Sequence, residues 1–161
     1  MLALTAATAV AATLDVNAIS AEGVGKSIGS ATFSDADGGL SIKIDVSGMN
    51  DGEHGFHVHE KGDCSPGMKD GKMAAGIAAG AHYDPQSTKS HKGPDAGGHE
   101  GDLPKLMAAG GKIDQTVMVK DLTLADVAGR SLMIHEGGDN YSDNPENGGG
   151  KGRIACGVIP R

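Results

Sequence analysis

Three consecutive segments near the start of the chain alternate apolar and polar residues with a period of two, at 12–20, 26–34 and 40–46. Successive side chains of a β-strand point to opposite faces, so this alternation is typical of strands with one buried face. An Asp-Gly-Gly sequence at 37–39 separates the second segment from the third, and glycine supplies the positive φ that tight hairpin turns require. The pattern predicts consecutive antiparallel strands.

Shorter apolar segments predict four further strands, at 53–60, 115–120, 130–136 and 153–159. One helical turn is predicted at 122–127, with Thr123 as its N-cap. Aromatic residues make up only 2% of the chain and glycine occurs 27 times, so the core must be aliphatic and the connections rich in turns. We expect a single all-β domain at 12–161, a length that can bury its own core.

The segment 60–113 shows no sustained periodicity and is rich in Gly, Pro, Asp, Lys and His. A loop of that length is uncommon in a compact domain unless it is functional or disordered. Four of the seven histidines lie in it or beside it, which indicates a loop ordered by metal. A second glycine-rich loop is predicted at 137–152.

Charge and hydropathy exclude two classes of partner. The net charge of -7, without any run of Lys and Arg, argues against a nucleic-acid partner, because phosphate binding needs clustered cations. No segment approaches the roughly 20 apolar residues of a membrane span, so we expect no membrane insertion. Residues 1–11 are similar to the apolar body of a secretory signal without its basic start, and a lead-in to the first strand explains them equally well.

A set of histidines carries the chemistry. His57 and His59 alternate on a predicted strand, so both rings share one face, although an HxH pair alone is a common pattern. Further candidate ligands follow along the chain at His82, His91, His99, Asp102 and His135. Imidazole suits copper and zinc, and a carboxylate among histidines is consistent with four-coordinate zinc. Two metal sites that share a ligand would accommodate the whole set.

Four segments resemble the signature sequences of copper-zinc superoxide dismutases: GFHVHE at 55–60, GAHYDP at 80–85, HEGDL at 99–103 and GRIACG at 152–157. The matches follow the order of the family from about residue 14 to residue 159. Segments at 18–28, 101–104, 137–140 and 142–145 are similar to the bacterial, periplasmic type. The resemblance implies an eight-stranded antiparallel Greek-key sandwich, or flattened barrel, with two long functional loops.

The resemblance also implies an activity, which is dismutation of superoxide to oxygen and hydrogen peroxide in antioxidant defence. A histidine-bound copper would be alternately reduced and oxidised, beside a structural zinc, with one ion of each metal per subunit. The implied copper ligands are His57, His59, His82 and His135, and the implied zinc ligands are His82, His91, His99 and Asp102. His82 would bridge the two metals and accept a proton when copper is reduced.

Four other positions match functional residues of the family. Asp139 would hydrogen-bond His57 and His91 and fix their tautomers, although a loop-capping Asp has the same sequence context. Arg153 would dock the anionic substrate over the copper, because a guanidinium is always charged. Cys64 and Cys156 match a family disulfide, although two cysteines alone are equally consistent with two buried thiols. A disulfide requires an oxidising compartment, so the resemblance implies export to a periplasm or another extracytoplasmic compartment. His54 matches a ring that binds backbone and not metal.

Other interpretations stay open from the sequence. One alternative is a copper carrier that binds metal without turnover, but a carrier would not need the anion-docking arginine that this chain has. Another is a zinc hydrolase built on His99 and Asp102, but the chain has no general base with HExxH-like spacing. We hypothesise that Lys61, Lys69 or Lys72 helps to attract the substrate, although solvated loop lysines explain them equally well. Family members of the bacterial type include monomers and dimers, so a homodimer is an open expectation.

Overall fold

The computed structural model describes residues 10–161, and most of the predicted signal remnant, residues 1–9, lies outside the described residues. β-Strands dominate the described chain, and its α-helical content is one turn. In chain order the elements are β1 (Ala11–Ser20), β2 (Gly23–Ala36), β3 (Gly39–Ser47), β4 (Gly52–His54), β5 (Phe56–His59), β6 (Gly67–Lys69), β7 (Lys72–Ala74), β8 (Leu106–Ala108), β9 (Lys112–Lys120), α1 (Leu124–Val127), β10 (Ser131–His135) and β11 (Arg153–Val158).

Seven strands form one antiparallel sheet in the order β5-β10-β11-β1-β2-β3-β9, and β4 pairs with β8. Only Gly55 separates β4 from β5, so the two are one interrupted strand. Counted without the small hairpin of β6 and β7, the described chain then has eight strands. The neighbours β5 and β10, and β11 and β1, are distant in sequence, as Greek-key connections require. The predicted all-β, antiparallel fold class is confirmed.

An aliphatic core lies between the curled faces of the sheet, as the composition predicts. Alternate residues of β3, from Leu40 to Val46, are buried, and the residues between them face outward. Phe33 and Phe56, the two phenylalanines of the chain, are fully buried. Burying each such side chain contributes about 1.5–3 kcal/mol, so this core holds the strands that carry the histidines.

The predicted strand boundaries at 12–20, 26–34 and 40–46 agree with β1, β2 and β3 to within three residues. The turn between β2 and β3 holds Gly38 at a φ of 85°, which confirms the glycine-dependent hairpin. The predicted helical turn is α1, where Thr123 and Asp126 form a reciprocal capping box. None of the helices between residues 10 and 161 is long and apolar enough to span a bilayer.

The segment 60–113 contains regular structure that its sequence does not predict, namely β6, β7, β8 and a 3-10 turn at Ile77–Ala79. Strands β6 and β7 form a tight hairpin whose turn residues, Asp70 and Gly71, both have positive φ. Each of these strands has three residues, too few for a period of two to emerge. The long loop is therefore a chain of short elements packed beside the main sheet.

The predicted disulfide between Cys64 and Cys156 is present and joins the long loop to β11. Both cysteines belong to a small buried cluster with Ile19, Ala79 and Met133, separate from the main core. The bond therefore anchors the loop that carries His82 to the strand that carries Arg153.

Candidate metal centre

Two paired strands and one loop bring the first group of histidines together. His57 and His59 lie on β5, His135 ends the adjacent strand β10, and a backbone bridge places His82 beside His59. All four side chains are buried. Each offers one ring nitrogen, and these four nitrogens lie within 4.8 Å of one another. The structure thus brings together the four residues that the resemblance implies for copper.

Three nitrogens of this group are buried without a hydrogen-bond partner: His57 Nδ1, His59 Nε2 and His135 Nε2. The opposite nitrogens of these rings do have acceptors, since His57 Nε2 donates to Asp139 at 2.8 Å and His59 Nδ1 donates to the Gly80 carbonyl at 2.9 Å. Buried polar atoms in native proteins are nearly always satisfied. The three lone pairs that remain therefore fit a bound metal ion.

Three further ring nitrogens converge on the Asp102 carboxylate. His82 Nδ1 lies 2.8 Å and His99 Nδ1 lies 3.3 Å from Oδ1, and His91 Nδ1 lies 2.9 Å from Oδ2. His91 Nδ1 and Asp102 Oδ2 nevertheless form no hydrogen bond with each other. Two buried atoms at that distance that do not bond are arranged like ligands around a common centre.

The second group with mutually close ligand atoms consists of His57, His82, His91 and Asp102. It differs from the implied zinc set at one position, because it contains His57 and leaves out His99. The His99 ring still lies 5.3 Å from the His82 ring and 5.9 Å from the His91 ring, between centroids. His99 is thus beside the group but slightly withdrawn from it.

Asp139 connects the two groups. Its Oδ2 accepts a hydrogen bond from His57 Nε2, and its Oδ1 accepts hydrogen bonds from His91 Nε2 and the backbone N–H of Tyr141, all at 2.8 Å. Because both rings donate through Nε2, their Nδ1 atoms are left to face the metal groups. Gly148 packs directly against this carboxylate with a φ of 75°, so any side chain there would displace it.

Burial sets the protonation of four of the ligand rings. Desolvation lowers the pKa of His57, His59 and His135, and it lowers the pKa of His82 to about 4. These rings are therefore neutral at pH 7, the form that binds metals. For His91, burial acts to lower the pKa, but the Asp102 and Asp139 carboxylates outweigh it and raise that pKa to about 9. Burial acts to raise the pKa of Asp102, but the hydrogen bond from His82 and the attraction of the nearby His82 and His91 rings outweigh it and hold that pKa well below its usual range.

A cationic cleft opens on the first group. It has a volume of about 310 Å³, and its lining includes His82, His135, Lys69, Lys151 and Arg153. Two backbone carbonyls fix the Arg153 guanidinium, those of Gly76 at 2.6 Å and Gly80 at 2.8 Å. Three lysines are hypothesised to attract the substrate. Of these, Lys69 lines this cleft, whereas Lys61 and Lys72 do not.

Backbone carbonyls complete the site as acceptors, and the sequence did not indicate them. Gly80 O accepts from both His59 and Arg153, and Lys151 O lies 3.4 Å from His135 Nδ1. A carbonyl group is common to every residue, so no side-chain pattern could have indicated these contacts. His54 lies outside both groups, as expected, with ring nitrogens 2.7 Å from His135 O and 2.8 Å from Asn50 O.

The fold and this centre define a class, a Greek-key β-protein with two adjacent metal sites that share a buried histidine. The family model described as copper/zinc superoxide dismutase matches residues 27–159. The chain therefore belongs to the copper/zinc superoxide dismutase family. Members of this family use copper and zinc, and the histidine-rich groups fit a copper site and a zinc site with a bridging histidine.

Several similar proteins come from bacteria. A copper-zinc superoxide dismutase of Brucella abortus is 54% identical over 140 residues, which are 85% of this chain and 81% of the relative. That of Escherichia coli strain K12 is 46% identical over 158 residues, with 96% and 91% covered. A solved structure of the Brucella abortus enzyme has a TM-score of 0.91 and 50% identity, and covers 93% of this chain and 99% of its own. The disulfide and these bacterial relatives are consistent with an exported protein.

Proposed function

We propose that this protein disproportionates superoxide at the centre described above. The observation that carries the proposal is the convergence of His57 Nδ1, His59 Nε2 and His135 Nε2, three buried lone pairs without partners, beside His82. The cleft that opens on this group is lined by Arg153, Lys69 and Lys151, and this positive charge supports an anionic substrate. Membership in the copper/zinc superoxide dismutase family supports the same activity.

The metal assignment forms part of the proposal. His57, His59, His82 and His135 would hold copper, because only nitrogen atoms converge there and imidazole suits copper. His82, His91, His99 and Asp102 would hold zinc, because Asp102 adds a carboxylate to three ring nitrogens that face it. His82 serves both metals, since its Nδ1 faces Asp102 and its Nε2 is left for the copper group.

In the reaction, two superoxide anions and two protons give O₂ and H₂O₂. Different residues bind the anion and hold the proton. Arg153 docks the anion, because two carbonyls fix its guanidinium in the wall of the cleft that also exposes His82 and His135. Bound copper supplies the one-electron redox couple. His82 Nε2 would hold one of the two protons that H₂O₂ takes up and solvent would supply the other, while Asp102 keeps the ring oriented.

The remaining parts of the proposal concern location and assembly. A disulfide between Cys64 and Cys156 is stable in an oxidising compartment, which supports the periplasm. We infer a functional domain at 12–161 that follows a signal remnant or lead-in at 1–11. A homodimer stays a prediction, which sedimentation equilibrium of the metal-loaded protein tests directly.

Loading the protein with defined metals tests the activity. The form with copper and zinc should remove superoxide catalytically in a pulse-radiolysis assay, with many turnovers per copper, and the form with zinc alone should be inactive. A copper carrier would consume no more than one superoxide per copper. Turnover limited to one equivalent would contradict the proposed function.

Matched histidine variants test the metal assignment. His59→Ala should lose copper and retain zinc, since His59 contacts only the first group. His99→Ala should weaken zinc binding and retain copper, since its Nδ1 faces Asp102. Metal content after dialysis against a chelator is the measurement, and a variant that loses the opposite metal would refute the assignment.

A further inference from the structure

A second cleft, which shares no lining residue with the cationic one, reaches the zinc group. It has a volume of about 220 Å³ and reaches two of the proposed zinc ligands, His99 and Asp102, but none of the histidines proposed for copper alone. The cationic cleft reaches His82 and His135 and none of the ligands proposed for zinc alone. Each metal group therefore faces its own opening.

The two openings carry opposite charge. The wall of the second cleft holds the carboxylates of Asp95, Glu100, Asp102 and Asp121, with Lys120 as its one cation among the described residues. The first cleft holds Lys69, Lys151 and Arg153, with Glu146 as its one carboxylate among the same residues. A divalent cation is attracted to the former and repelled from the latter.

The acidic wall leads to a buried atom that lacks a partner. Asp102 lines the cleft, and its Oδ2 is buried without a hydrogen bond. His99 also lines it and has 11% of its side chain exposed, compared with 4% for His82 and none for His91. His99 is thus the proposed zinc ligand that an ion in the cleft meets first. Its place just outside the group of His57, His82, His91 and Asp102 fits that role.

We propose that zinc enters and leaves through this acidic cleft, with Asp95 and Glu100 attracting the ion and His99 receiving it before Asp102 and the buried rings do. The inference rests on the proposed zinc assignment. It gives the rim carboxylates a function in metal loading that is separate from catalysis. It also keeps incoming zinc away from the cationic cleft that admits the anionic substrate.

The charge variant is Asp95→Asn with Glu100→Gln. Both side chains reach the rim, where Glu100 accepts from Gln86 and Asp95 accepts from the backbone of Lys120, and their amides can still accept these bonds. In water a carboxylate about 10 Å away raises the local concentration of a divalent cation about fourfold. The double variant loses two such carboxylates and should therefore bind Zn²⁺ about 16-fold more slowly at low ionic strength, and the difference should shrink at about 0.15 M salt.

The measurement is stopped-flow uptake of Zn²⁺ by the full-length demetallated protein. A zinc-sensitive dye that competes for the ion reports the rate of uptake. Asp45→Asn with Asp114→Asn removes the same charge from the exposed outer face of β3 and β9 and should leave the rate unchanged. Glu146→Gln, on the cationic cleft, should not slow zinc either. Equal slowing by the cleft and β-sheet double variants would overturn the proposal, because net charge alone would then explain it.

A steric variant gives an independent result. Ala96 is exposed on the wall of the cleft, so Ala96→Leu should slow zinc uptake and zinc release by the same factor and leave the equilibrium zinc content unchanged. A changed zinc content with unchanged rates would overturn the uptake route. Wild-type protein that binds no zinc at equilibrium would overturn the zinc assignment and the route together, whereas normal content with unaffected rates in every cleft variant overturns the route alone.

Discussion

Replacing the carboxylate that links the two metal groups gives the sharpest test of the centre. Three donors converge on the two oxygens of Asp139: His57 Nε2, His91 Nε2 and the backbone N–H of Tyr141. Asp139→Asn keeps the shape but leaves one acceptor oxygen and introduces an N–H group. At least one ring then faces a donor and loses the bond that fixes its tautomer.

The magnitude follows from this contact. A hydrogen bond to a charged acceptor contributes about 1.5–3 kcal/mol, and loss of such a partner typically weakens metal binding about 10–100-fold. That range equals about 1.4–2.8 kcal/mol of binding free energy. Sites with nitrogen and oxygen ligands hold Cu²⁺ more tightly than Zn²⁺, so zinc should be lost at chelator concentrations that still leave copper bound.

The assay is titration of the metal-loaded protein with a competing chelator, with both metals quantified in the protein fraction. Asp143→Asn is the matched control, because Asp143 lies in the same loop and contacts the backbone N–H of His91 and the hydroxyl of Ser90, but no ligand ring. Its chelator midpoint should stay close to that of wild type. An Asp139→Asn protein that retains both metals at the wild-type chelator midpoints would refute the idea that this carboxylate fixes the tautomers and orientation of the His57 and His91 rings.

Four other perturbations have defined outcomes. Cys64→Ser with Cys156→Ser opens a bond that spans 92 residues, and the chain-entropy model gives a loss of up to about 4–5 kcal/mol in urea unfolding. Phe33→Ala, in a fully buried position, should cost about 3–5 kcal/mol in the same experiment. Gly148→Ala should weaken binding of both metals about tenfold or more, since the methyl group displaces Asp139. Arg153→Ala should lower kcat/KM for superoxide about tenfold or more without changing copper content, and Arg153→Lys should restore only part of it.

The sequence was informative about the fold wherever a strand was long enough to alternate. In β3 the buried face from Leu40 to Val46 is visible as a period of two, and the preceding turn at 37–39, with Gly38 at positive φ, marks where the chain reverses. Strands of three residues, such as β6 and β8, contain too few positions for that signal. Their pairing depends on long-range contacts, as in the pairing of β8 with β4, and local sequence does not encode such contacts.

For the site, the sequence supplied residue types and the resemblance supplied their roles, but neither supplied distances. That His57 and His59 share a strand follows from their spacing, yet their approach to His82 depends on a backbone bridge between β5 and the long loop. The withdrawn position of His99 and the glycine contact on Asp139 are also products of tertiary packing. These features arise where distant segments meet, so no local pattern could have indicated them.

The two metal groups are joined by more than proximity. His82 belongs to both, and Asp139 holds one ring of each, so a change in either group is transmitted through a shared ring and a shared carboxylate. Linkage is reciprocal for binding free energies, and any effect of zinc on copper affinity must equal the effect of copper on zinc affinity. The separation of the acidic and cationic clefts therefore divides access to the two groups, while the buried residues between them keep their binding coupled.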